Sequence, residues 1–170
     1  HSFFLKAIST EGLDIIKKLD TACFEKYGDE GSGCTHGIGH GILEYLGHQN
    51  FLKALAACEL TTQPNPLFGC TSGVFMEYNI PTFISDIEIK RSLREPNYQN
   101  LYEPCNTTVP EKFRESCYFE IVEWWTRIFK NDFGKITNLC SNIKEENHRR
   151  ACFLNVGNMA GSVNNYEVQP

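Results

Sequence analysis

The stretch NFLKALAACELTTQPNPLFGCTSGVFMEYN, residues 50–79, carries the pattern from which the fold is read. An apolar, alanine-rich run opens behind Asn50, a residue type suited to an N-cap, and runs into Cys58. Eleven residues containing two prolines and several polar side chains follow. Cys70 then opens a second segment with helical character. The expected unit is therefore a helix, a cysteine, a polar loop, a second cysteine and a second helix.

The unit recurs along the chain. Cys23 and Cys34 enclose ten residues, while Cys105–Cys117 and Cys140–Cys152 each enclose eleven, as Cys58–Cys70 do. The first pair recurs after 35 or 36 residues and the third after 35, the length of a two-helix repeat. From the second pair to the third the step is 47, which places an insertion at about residues 79–104, interrupted by Pro81, Pro96 and Pro104, with a short helix expected over 86–93. Phe51 and Phe133 both stand seven residues before a first cysteine, and Lys53 and Lys135 five before. Helices are expected over 12–27, 34–48, 50–60, 70–78, 117–129, 132–143 and 152–162. Asn50 and Asp132 are read as N-caps, and Pro110 with Glu111 as the start signal of a later helix.

These spacings predict one all-α domain over residues 1–170, a right-handed, solenoid-like array of about four helical hairpins stapled by disulfides. Local pairing, Cys23–Cys34, Cys58–Cys70, Cys105–Cys117 and Cys140–Cys152, is the expected connectivity, and a cross-unit pairing such as Cys34–Cys58 is the alternative. Closing a loop of this length contributes roughly 3 kcal/mol in the chain-entropy description.

Composition narrows the class. With 41% apolar and 22% charged residues and a net charge of −5, the chain is an ordinary globular protein with no basic patch for nucleic acid or a membrane surface. Nothing approaches the ~20-residue apolar run of a membrane span. An even count of eight cysteines without a C-x-x-C motif argues against zinc ribbons and thioredoxin-like chemistry and for an oxidising compartment. Asn106-Thr107-Thr108 is a glycosylation sequon in keeping with that. The expected location is extracytoplasmic: secreted, periplasmic or cell-surface. An export signal is then expected to lie outside these residues.

Chemistry concentrates in CTHGIGHGILE, residues 34–44. On a helix, His36, His40 and Glu44 fall at i, i+4 and i+8 on one face, where imidazoles share a metal and a carboxylate ligates or orients one of them. Gly37, Gly39 and Gly41 on the same helix cost roughly 2–3 kcal/mol relative to alanine, so a close neighbour must need their missing side chains. Superposing units on their second cysteine aligns Gly37 with Gly73, Glu120 and Asn155, puts Glu123 and Asn158 at the level of His40, and leaves Glu77 one residue further. A stacked repeat would line these along one face. His36, His40, Glu44 and Glu77 are the candidate ligands of a divalent metal, zinc or copper. Glu120, Glu123, Asn155 and Asn158 are candidate ligand-facing residues. Trp124 and Trp125 read as core, His48 as a helix C-cap and His148 as solvated.

The segments CTHGIGHG (34–41) and GCTSGVFME (69–77) resemble a family of uncharacterised exported prokaryotic proteins that carry C-x-H-G-x-G-H-G and C-x-S-G-V-F-M-E motifs followed by cysteine pairs. The resemblance spans most of residues 20–160. It implies that longer relatives carry further His- and Cys-containing units, so that this chain is a fragment or short form, and it brings no activity with it. Three function classes follow: a binding or scaffold module holding a metal, small ligand or protein partner; a metal-dependent or His/Glu acid–base hydrolase or lyase; and a structural subunit of a cell-envelope or extracellular assembly.

Overall fold

The structure, a computed structural model, describes residues 2–62, 67–80 and 94–163. Among these there are eight α-helices and no strand: α1 (Ser2–Glu11), α2 (Ile16–Tyr27), α3 (Ser32–Leu46), α4 (Phe51–Ala57), α5 (Cys70–Asn79), α6 (Arg114–Ile128), α7 (Phe133–Ser141) and α8 (Glu146–Val163). They fall into two compact units, residues 1–95 and 96–170. The insertion's expected helix over 86–93 lies outside the described residues.

All eight cysteines pair locally, Cys23–Cys34, Cys58–Cys70, Cys105–Cys117 and Cys140–Cys152, with Cα–Cα distances of 5.5–5.7 Å and no free thiol. Three bonds join the end of one helix to the next. The third departs from that expectation, because Cys105 lies in a run of turns rather than on a helix. Four disulfides suit an oxidising environment. No helix among the described residues is long and apolar enough to cross a membrane.

In the first unit α3 is the central element, packed against α1, α2, α4 and α5. Its glycines explain how. A Cβ on Gly39 would lie far inside contact distance of the Cys70 carbonyl oxygen and 2.9 Å from the Val74 amide nitrogen; a Cβ on Gly73 would collide in the same way with the His36 carbonyl oxygen. The α3 and α5 backbones therefore touch where each helix lacks a side chain, and the Cα–H groups face the opposite carbonyls. Gly41 serves α1, since a Cβ there would meet Leu5 N and Phe4 Cβ at 2.9 Å. Ile38, Ile42, Leu43, Leu55, Val74 and Phe75 are fully buried around this crossing.

The second unit packs α6 on α8, with α7 against both. Trp124 and Trp125 are buried, and Trp125 Nε1 donates to the Leu101 carbonyl at 3.1 Å, which makes the pair core. The contact of α6 with α8 is made differently from that of α3 with α5. Asn155, at the Gly73 level, donates from Nδ2 to the Phe119 carbonyl at 2.8 Å, where Gly73 meets the carbonyl of His36 directly. A side-chain amide bridges one pair of helices, while bare backbone closes the other.

Several local expectations are corrected. Asn50 stands at the N-cap position of α4 as expected, but its side chain makes no capping bond; Nδ2 donates to the Leu46 carbonyl at 2.8 Å and so closes the end of α3. Asp132 does cap α7, accepting from the Lys135 amide at 3.0 Å. The helices α6 and α8 begin three and six residues before Cys117 and Cys152. The earlier start of α8 takes in His148, which is buried and stacked on Tyr118 with ring centroids 5.2 Å apart, not solvated. Asn106 is exposed, and its amide exchanges two hydrogen bonds of 3.0 Å with that of Asn100.

Candidate metal centre

The α3–α5 crossing sets two faces against each other. His36 and His40 lie one turn apart on α3; Ser72 and Glu77 flank Gly73 on α5. Their side chains form a continuous line. His36 Nδ1 is 3.1 Å from Ser72 Oγ, His36 Nε2 is 3.0 Å from His40 Nε2, and His40 Nδ1 is 2.9 Å from Glu77 Oε2. With both rings neutral the bonds run one way: Ser72 Oγ–H donates to His36 Nδ1, His36 Nε2–H to His40 Nε2, and His40 Nδ1–H to Glu77.

Glu77 is fully buried, as are His40 and Ser72. A carboxylate removed from water requires compensation, and Glu77 finds a hydrogen bond at one oxygen and a more distant ring nitrogen at the other. Oε2 takes the His40 bond, and Oε1 faces His48 Nε2 at 3.8 Å. His48 was read as a helix cap. Instead, Gly47 ends α3, with φ +82 and its amide bonded to Leu43, and the chain then turns so that the His48 ring reaches Glu77. Glu44, two turns along α3 from His36, completes the group. Ligand atoms of Glu44, His48 and Glu77 all lie within 4.8 Å of one another. These three residues could hold a metal ion. Glu44 and His48 are only partly buried, so the group opens toward solvent on their side.

Burial, and after it the neighbouring His40, lower the pKa of His36 from 6.5 to about 4. Between those values the unfolded chain takes up a proton that the folded protein refuses. Stability is therefore expected to fall as pH drops from 6.5 to 4, by at most about 3 kcal/mol from this group, and to level off below. Urea midpoints across pH 4–7.5 for the wild type and His36→Gln test this; identical slopes in the two proteins would refute it.

Of the residues singled out in the sequence, Glu44 and Glu77 converge with His48, which the sequence reading places at a helix end instead, while His36 and His40 form a line that ends on Glu77. The ligand-facing candidates Glu120, Glu123, Asn155 and Asn158 belong to the second unit. There Asn155 is committed to the Phe119 carbonyl, Glu123 pairs with Arg127 at 2.8 Å, Glu120 is buried and Asn158 half-buried. Asn155 and Glu123 thus serve packing and the helix surface. The signal for His48 was its distance along the chain: twelve residues past His36 and four past Glu44, it continues the same i, i+4 series beyond the helix end.

Fold and cluster together define an all-α, disulfide-bonded protein with a buried imidazole–carboxylate network. Comparison with protein-family models, curated proteins and solved structures yields no match to this chain.

Proposed function

We propose that the protein is an extracytoplasmic binding module whose first unit takes a divalent metal, zinc in the first place, through Glu44, His48 and Glu77. The carrying observation is the convergence of one imidazole and two carboxylates, one of them fully buried, within 4.8 Å. Oxygen and nitrogen donors at such spacing suit zinc. His40 would act behind the ligands: its Nδ1–H on Glu77 Oε2 leaves Oε1 to the ion and fixes the carboxylate's orientation. Secretion, and kinship with the exported prokaryotic proteins that its motifs resemble, form part of this proposal.

A second reading, a metal-dependent hydrolase or lyase, is favoured by the ligand number. Three protein donors leave a fourth zinc position for water or substrate, and the side facing Glu44 and His48 is the one open to solvent.

Zinc titration of the untagged chain, followed by calorimetry and elemental analysis, is expected to give one equivalent. His48→Ala and Glu77→Gln should weaken binding by at least about 100-fold, and removal of the supporting ring in His40→Phe by about 10–100-fold. Unchanged zinc affinity in His48→Ala would remove the proposal.

A further inference from the structure

We propose that the facing Nε2 atoms of His36 and His40 form a second metal position, a two-coordinate site for a monovalent d10 ion such as copper(I) or silver(I). It goes beyond the zinc trio and does not rest on it.

Three observations carry the assignment. First, both rings are held by their other nitrogen. Ser72 Oγ lies at His36 Nδ1 and Glu77 Oε2 at His40 Nδ1, the outer-shell arrangement that fixes tautomer and orientation in metal-bound histidines. What is left over on each ring is Nε2, and the two are aimed at one point. Second, the rings meet end-on rather than stacked. Their centroids are 4.9 Å apart with planes inclined at 59°, while the two Nε2 atoms are 3.0 Å apart. Two ring nitrogens that face each other across a short gap suit an ion content with two donors; a tetrahedral ion needs two further ones.

Third, among the described residues no third histidine, cysteine or acidic donor groups with the pair. Among the described residues the one group of three acidic, His or Cys donors lying close enough together is Glu44, His48 and Glu77, which does not include the His36–His40 pair. The cysteines, the usual soft competitors, are all in disulfides. Zinc with two imidazoles would be under-coordinated here, whereas singly charged d10 ions accept two neutral nitrogens. Metal–nitrogen bonds of about 2 Å put the two nitrogens about 4 Å apart, so the rings must separate by about 1 Å. His36 can supply that movement, being half-buried where His40 is fully enclosed. On binding, His36 shifts its single proton from Nε2 to Nδ1 and donates to Ser72 Oγ. The ring stays neutral and no proton leaves the protein.

The test is silver(I) titration of the intact, oxidised chain in chloride-free nitrate buffer, against a competing chelator, with bound metal counted by native mass spectrometry. One tight equivalent is expected in the wild type and in His48→Ala. In His36→Ala, affinity should fall by at least about 100-fold. His36→Gln, which keeps a hydrogen-bonding group beside His40, gives the same comparison if the alanine variant does not fold. Silver retained by both His36 variants, or lost from His48→Ala, would overturn the site. The zinc measurement separates the two proposals: zinc lost in His48→Ala but kept in His36→Gln sustains that reading whatever silver does.

Discussion

Reduction of the four disulfides is expected to abolish the fold at room temperature. Each bond closes a loop of about a dozen residues, worth roughly 3 kcal/mol, and together they contribute on the order of 12 kcal/mol. A domain of this size has about 5–15 kcal/mol in all. The helices alone do not make up such a loss: α4 and α7 have seven and nine residues, below the length at which isolated helices persist in water. Circular dichroism during titration with a phosphine reductant, with thiols counted in parallel, should show helicity collapsing as the bonds open. A cooperative melt preserved with eight free thiols would contradict this.

Gly39→Ala and Gly73→Ala are expected to cost more than about 3 kcal/mol each, beyond the usual range for one added methyl group. The new Cβ would strike a backbone carbonyl on the facing helix, of Cys70 in one case and His36 in the other, and neither can rotate away. The helices must part, taking His36 and His40 from Ser72 and Glu77, so zinc and silver binding should fall together. Gly157→Ala provides the control. It lies within α8 with nothing near its Cβ position, and there the same change should stabilise by up to about 1 kcal/mol through helix propensity. Denaturant midpoints for the three variants settle the comparison. Equal values would show that the crossing tolerates a side chain.

Much of this was legible in the sequence because it depends on covalent spacing and small residues. Cysteine intervals suffice to suggest local pairing, and glycines inside a helix announce a close neighbour whichever helix that is. The aligned Gly73 pointed to the partner, and with it to Glu77. What escaped depends on burial, which only the assembled chain decides. The helix α1 carries Phe4, Leu5 and Ile8 but has no cysteine to mark it, and it was missed. Glu146, His148 and the two arginines after it look like a solvated loop, yet the ring of Tyr118 gives His148 an apolar partner and the helix extends through them. Asn155, expected among the ligand-facing residues, is instead bonded to the Phe119 carbonyl, because a buried amide satisfies the nearest carbonyl first.

The backbone contact between α3 and α5 has one more consequence. The spacing of the helices that bear His36, His40, Ser72 and Glu77 is set by main-chain contact and depends on two positions alone, Gly39 and Gly73. The side chains mounted on either side are free to change identity while the frame holds still. A lineage could exchange Ser72 or Glu44 for another polar residue and so alter the chemistry of the cluster, as tools are exchanged in a fixed vice.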